Sequence, residues 1–485
     1  MIPARIKSPD LLTGSRPRLD RYKIGKAETD WVGASDWSIR FKLLDPIGAL
    51  LDVVPDGSAT QIRWFGKLVM SYLASRGFSL EGSPAEERSR KLVRSFIYVQ
   101  IFSVIFLEKL ALHVGDGEIQ LVLPIFLGSL AVLAFYVPIY IDQVRLLAYA
   151  IFVFTALLGH TFLPEYSINS MMLVFVSYIG MCVYAKADLD TFVKCLRFFN
   201  SCVVVVCVLT FYQVLTQYTI GNQYWGNLEK IVPDWLLFSG YNYLQPVRYL
   251  SPYFKPNAIF MLEVSQISQF SAMALMIEIA FFRRPLFTVL YASALMLTFS
   301  GVGLLVLVFC IPALFGNLSP RLLLMGLLSL AGAVLAAWLT GWSDVAGSRV
   351  LEFTTPGTSG YYRFNIPVVM FGELIIDPSY LFAGNGAGST SKGTAYLLLP
   401  FAKVISEYGI LTFFSFYLFL IVSLYRKPPS LTVSYTAFVL YNLAGSTLGM
   451  PMYVIVLVML GTFFRITSSR QQSAETNALS SWKHA

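Results

Sequence analysis

Residues 195–217 read CLRFFNSCVVVVCVLTFYQVLTQ. No Asp, Glu, Lys or Arg follows Arg197 in this run. Its length and apolarity match the roughly 20 residues with which a helix crosses a hydrocarbon core of about 30 Å. Comparable runs lie at 95–113, 118–138, 145–163, 168–185, 258–281, 285–299, 300–317, 321–341, 409–425, 431–447 and 450–466, about twelve spans in all. Composition agrees. Of 485 residues, 56% are apolar and only 13% charged, against about 25% charged in ordinary soluble domains. Disorder, coiled coil and disulfide-rich secreted scaffolds are excluded, and the chain reads as an all-α, polytopic integral membrane protein.

The net charge of +8 would suggest a nucleic-acid partner in a soluble protein. Here basic residues held against anionic lipid explain it, and no nucleic acid is expected. The five cysteines, Cys182, Cys195, Cys202, Cys207 and Cys310, lie in or beside apolar runs and read as core or lipid-facing residues. His113, His160 and His484 are scattered, so no metal site is expected, and no cofactor motif is present. GNGAGSTSKG (384–393) lacks the GxxxxGK[ST] spacing of a phosphate loop and reads as a lid or turn.

Residues 1–94 form a basic polar segment without a signal peptide, so the first span acts as the insertion signal. Within it, IRWFGKLVMSYLA is amphipathic. An interfacial helix and a small cytoplasmic helical subdomain both fit it. With the N-terminus cytoplasmic, the inner loops carry Arg145, Lys186, Lys194, Arg283, Arg284, Arg321, Arg426 and Lys427, and Arg465 and the tail 471–485 also fall inside. The domain 95–470 then has two long outer loops, 218–257 and 342–408, rich in Tyr, Gly, Asn and Ser. Long loops on one face usually carry function.

The cations of those loops run against the positive-inside tendency: Arg248, Lys255, Arg349, Arg363 and Lys392. They suit an anionic partner, because the guanidinium fork donates bidentate hydrogen bonds to phosphate oxygens. Glu263, at the polar start of the sixth span, and Glu407, where the second loop re-enters the membrane, are the carboxylates within reach of that face. Tyr249 and Tyr362 flank the arginines and read as interfacial or substrate-stacking rings. Glu108 with Lys109, and Glu278 with Arg283 and Arg284, read as local pairs or snorkelling groups.

The order of these features resembles the O-antigen polymerase and ligase superfamily of membrane glycosyltransferases, over roughly residues 95–466. LTFYQVLTQ (209–217) leads into a first outer loop closing with an Arg in QPVRYLSPYFKPN. Glu263-Val264-Ser265 resembles the family's E-P-S element. Thr298 and Ser300 match a T-x-S element. YYRFNIPVVMFGELIIDPSYLFAGNGAG supplies an Arg and a Gly-x-Gly, and a re-entrant stretch meets Gly409. Val264 replaces the family proline, and Leu398 stands where the ligase branch carries a His, which points toward the polymerase branch.

The resemblance implies a membrane glycosyltransferase of GT-C-like architecture in the bacterial inner membrane, with both termini cytoplasmic. Its substrate is undecaprenyl-diphosphate-linked glycan, and a chain-length regulator and flippase of the same pathway are expected partners. Arg363 and Arg248 are the expected diphosphate ligands, with Arg349, Lys255 and Lys392 as further anion contacts. Glu263 or Glu407 orients or deprotonates the acceptor. The alternatives are ligase-like glycan transfer and a lipid-linked-oligosaccharide flippase.

Overall fold

A nearly fully buried helix organises the structure. The computed structural model describes residues 84–466 apart from 115–116, 164, 222–224, 239–243, 248–252, 299, 315–353, 357, 359, 377, 391–397 and 445–446. The expected cytoplasmic segment up to residue 83, the tail, and the span 321–341 therefore lie outside the described residues.

In chain order the helices are α1 (Pro84–Phe106), α2 (Val122–Tyr136), α3 (Gln143–His160), α4 (Ile168–Tyr178), α5 (Leu189–Thr219) and α6 (Val264–Ile277, extended by a wide turn to Phe282). They continue as α7 (Pro285–Leu297), α8 (Gly301–Leu314), α9 (Ile366–Ile376, preceded by a wide turn Tyr361–Asn365), α10 (Pro378–Ala383), α11 (Pro400–Tyr425), α12 (Leu431–Leu443) and α13 (Pro451–Val456, extended to Thr462). Each expected span within the described residues overlaps a helix. Among the described residues, four helical segments are long and apolar enough to cross a membrane: Gln143–His160, Leu189–Thr219, Val264–Phe282 and Pro400–Tyr425. The α6 segment has 83% of its apolar window buried inside the protein, against 39%, 44% and 50% for the others. So α6 is core, while the other three keep one apolar face outward, as a lipid-facing helix does. Phe135, Phe154, Leu215 and Val308 are among the large apolar side chains left exposed.

Local chemistry starts the helices. The side chains of Asp142, Ser167, Asp188 and Ser430 accept first-turn N–H groups of α3, α4, α5 and α12. Proline opens α7, α11 and α13, where its missing N–H costs nothing. Around α6 pack α5, α7, α8 and α12, while α3 lies along α11 and α1 along α5 and α2. All five cysteines are buried and free.

Short strands mark two ends. The hairpin β1 (Ala111–Val114) and β2 (Gly117–Gln120) pairs antiparallel, with Ala111 opposite Gln120. At the other end, β3 (Tyr140–Ile141), β4 (Val183–Ala187) and β5 (Phe464–Ile466) form a three-stranded sheet, β3 antiparallel and β5 parallel to β4. We call this the strand end and the opposite one the loop end. Arg145, Lys186, Arg426 and Arg465 gather at the strand end.

Three expectations need correction. The first span is displaced: α1 begins at Pro84, inside the expected cytoplasmic segment, and ends at Phe106, because the hairpin claims the residues from Ala111 onward. The second loop, expected over 342–408, is largely helical from Gly360, since α9, α10 and the first turns of α11 occupy it. Lys109, expected to pair with its neighbour Glu108, makes an ion pair with Glu229 at 2.6 Å.

Candidate functional site

The polar residues of the loop end form two clusters joined through α9 and α10. The first is built on the N-terminus of α6. Glu263 precedes the helix, and its N–H donates to the Gln266 side chain at 3.0 Å. That bond fixes the backbone turn into the helix. Its carboxylate accepts from Ser265 Oγ at 2.8 Å and faces Arg363 Nη2 at 3.4 Å. Arg363 sits in the wide turn before α9 and is only 6% exposed. Its Nε is buried without a hydrogen-bond partner. A buried guanidinium that donates weakly to one carboxylate and holds another N–H unused can take an anion.

The loop that delivers Glu263 is held from α5. Gln213 Oε1 accepts the N–H groups of Asn257 (2.9 Å) and Ala258 (2.8 Å), and its Nε2 donates to Asn257 Oδ1 at 3.0 Å. One turn on, Gln217 takes both backbone groups of Phe254, accepting at 2.7 Å and donating at 3.0 Å. Ala258 and Ile259 have φ of +46° and +68°. Left-handed backbone is strained for a non-glycine, and more so for β-branched Ile. From the turn between α1 and β1, Glu108 Oε1 accepts the Leu262 N–H at 2.6 Å. Three side chains from two segments thus set the residues just before Glu263.

The second cluster surrounds Glu407 on α11. Gly409 breaks that helix with φ +79° and ψ 174°. A Cβ at Gly409 would lie 2.0 Å from the Phe382 carbonyl oxygen, and one at Gly384 (φ +73°) would lie 2.6 Å from the Glu407 backbone. Two chains therefore touch backbone to backbone, and only glycine permits it. Across that contact the Ser406 and Glu407 carbonyls accept the N–H groups of Asn385 (2.7 Å) and Gly386 (3.1 Å). The Glu407 carboxylate is 2% exposed; it accepts from the Thr390 hydroxyl and has Lys403 Nζ at 3.7 Å. His160, at the end of α3, accepts the Ala387 N–H on Nε2 at 2.8 Å and bonds the Ala156 carbonyl through Nδ1 at 2.7 Å. These partners require the Nδ1–H tautomer. Its ring lies against Tyr166 and Tyr408. So residues 384–390 are not a loose lid: α3 and α11 clamp them from both sides.

Of the expected site residues, the structure joins Arg363 to Glu263 and puts Glu407 in its own cluster. Among the described residues no hydrogen bond or ion pair connects the two. Lys255 lies on the loop held by Gln217, with its N–H donated to the Gln245 carbonyl at 2.7 Å. Tyr362 shares the turn of Arg363, and its side chain is outside what is described. Arg248, Tyr249, Arg349 and Lys392 lie outside the described residues. Thr298 and Ser300 form a local turn, the Ser300 N–H donating to Thr298 Oγ1 at 3.3 Å. Sequence reasoning missed His160, Gln213, Gln217 and Glu108. The glutamines carried a signal, an i, i+4 amide pair in an otherwise apolar helix, whereas nothing near His160 in sequence points to the glycine loop. No protein-family model, characterised protein or solved structure significantly matches the chain.

Proposed function

We propose that the chain is a bacterial inner-membrane glycosyltransferase that polymerises undecaprenyl-diphosphate-linked oligosaccharide repeat units. In this reading about twelve spans carry the chain across the bilayer, with the strand end cytoplasmic and the loop end outside. The observation that carries the proposal is Arg363: buried and, among the described residues, paired at 3.4 Å with Glu263 alone and with Nε unused. It stands beside the N-terminus of α6, where the helix dipole also favours negative charge.

In the transfer, the acceptor hydroxyl oxygen bonds to the anomeric carbon of the donor glycan. The bond from that carbon to the diphosphate oxygen breaks, and its electron pair leaves with the diphosphate. Arg363 takes up the charge that develops on the leaving group, which is where a preorganised donor lowers the barrier. The hydroxyl proton passes to a carboxylate. Glu263, which has 16% of its side chain exposed, is better placed to receive it than Glu407, which has 2%. Arg248, Arg349, Lys255 and Lys392 would add to the anion field.

The test is complementation of a gene deletion at matched membrane levels, with the cell's glycans resolved on a gel. The deletion should leave single-repeat product. Wild type should restore ladders, and Arg363→Ala and Glu263→Gln should not. Long unattached chains in the deletion would identify a ligase instead, and unaltered polymer would leave a flippase or transporter as the reading to test.

A further inference from the structure

The strand end carries a second polar centre, which the proposed transfer does not use. Asp142 sits at its middle. Its Oδ1 accepts the N–H groups of Val144 (3.1 Å) and Arg145 (3.3 Å) and a guanidinium N–H of Arg426, while Oδ2 accepts from Arg465. Arg145, 1% exposed, donates its guanidinium to the carbonyls of Thr462 (2.8 Å), Arg426 (3.2 Å) and Met181 (3.5 Å). Among the described residues two arginines thus bond one carboxylate and a third lies beside it, an excess of two positive charges. Lys186 lies opposite Arg465 in the β4–β5 register.

Nearby acids do not redress the balance. Asp188 is paired with Arg90 at 3.2 Å, Asp190 with Lys194, and Glu278 with Arg284 at 2.8 Å. Donor capacity is left over as well: among the described residues, Nε of Arg145 and Nε of Arg465 are buried without partners. The centre is also reachable, since the Arg426 and Arg465 side chains are 39% and 20% exposed. Arg465 stacks on Tyr184 and Lys186 lies over Tyr140, so aromatic rings floor the cluster. An uncompensated group of guanidiniums at the ends of apolar helices, lined by tyrosines, fits the phosphate of an anionic lipid.

We propose that the strand end is a binding site for the phosphate of an anionic phospholipid, held by Arg426 and Arg465 with Arg145 and Lys186 behind them. Asp142 holds the two arginines apart as the frame of the site, and the lipid headgroup supplies the charge that the carboxylate cannot. This site is independent of glycan transfer, so its test needs no activity assay.

The full chain is reconstituted in nanodiscs of phosphatidylcholine, with and without phosphatidylglycerol, and thermal unfolding is followed. Phosphatidylglycerol should raise the wild-type midpoint by about 3 °C or more. Arg426→Gln and Arg465→Gln should each lose over half of that increment. Lys91→Gln should keep it, because Lys91 is a basic residue of α1 with its own partner, Glu87. An increment unchanged in both arginine variants, or lost equally in Lys91→Gln, overturns the site in favour of diffuse charge attraction. Inorganic phosphate giving the same increment in phosphatidylcholine discs overturns the lipid as its source. Should the variants misfold, native mass spectrometry of the wild type decides. A retained phosphatidylglycerol that outlasts phosphatidylcholine upholds the proposal, and equal loss of both overturns it.

Discussion

At the strand end Asp142 bonds two guanidiniums and two backbone N–H groups; at the loop end Glu263 meets one guanidinium, at 3.4 Å. Arg145 spends its terminal N–H groups on three carbonyls, which ties α3 to the ends of α11 and α13. Among the described residues Arg363 makes a single 3.4 Å contact, and the Nε of both arginines lacks a partner. The residue types match and the satisfaction differs. Where a carboxylate is saturated, it braces helices. Where a buried charge is left under-satisfied, the protein tolerates a local cost, and such costs gather at functional sites. Positive φ does not separate the two ends: it occurs at Ala258, Ile259, Gly384 and Gly409 around the loop-end clusters and also at Arg283 and at Lys427, next to Arg426.

The strongest way to break this comparison is Gly409→Ala. Its Cβ would lie 2.0 Å from the Phe382 oxygen at φ +79°. The expected cost is about 3 kcal/mol or more, because a main-chain contact cannot yield as a side chain does. The variant should accumulate poorly or lose the Glu407 cluster, read as loss of amide protection over 384–390. Wild-type protection there would show that the backbone contact does not hold the cluster.

Asp142→Asn tests the strand end and should cost about 2–3 kcal/mol, since it leaves three arginines facing one another. The carboxyl's pH response has a definite sign. Burial pushes it up, but the Arg145 N–H, the Arg465 guanidinium and the charges of Arg145 and Arg426 outweigh burial and leave it below its ordinary value. A depressed acid contributes stability that is fully present above its unfolded pKa of about 3.9 and is lost as pH falls through the folded value. The gap in unfolding midpoint between wild type and Asp142→Asn should therefore be constant from neutral pH down to about pH 5 and close below about pH 4. A gap that widens in acid would reverse the assignment.

His160→Leu is a smaller perturbation. It removes the acceptor of the buried Ala387 N–H, at an expected cost of about 1–2 kcal/mol. Exchange should quicken at Ala387 and Gly386 while α3 and α11 stay protected. Protection lost throughout α11 would make His160 a global brace, and the loop end as rigid as the strand end.

Much of the fold was legible because apolar spans are written in length and composition, as in 195–217, which lies within the helix Leu189–Thr219. The end of α1 was misjudged because residues 107–113 are as apolar as the helix, and a hairpin rather than composition ends it. Arg363 and Glu263 were found because charge beside an apolar run is conspicuous. Their pairing across the chain was not, since the register of two distant helices decides it. His160 reaches the glycine loop through the packing of α3 on α11, and neither helix names the other in sequence.

The smallest expected effect sharpens the comparison by reversing its sign. Gly128 lies inside α2, and a Cβ there would meet nothing within 4 Å. Gly128→Ala should stabilise the protein by about 0.5–1 kcal/mol, because alanine lowers the entropy of the unfolded backbone and no neighbour resists the methyl group. The same substitution at Gly409 is expected to be severely damaging. If both glycines tolerated alanine, the left-handed break in α11 would be incidental, and Glu407 would owe its position to side-chain bonds alone. If Gly128→Ala were also damaging, α2 would pack against something through that face, since no described residue approaches it. Opposite signs would locate the constraint in the contact between Gly384 and Gly409, two main chains too close for any other residue.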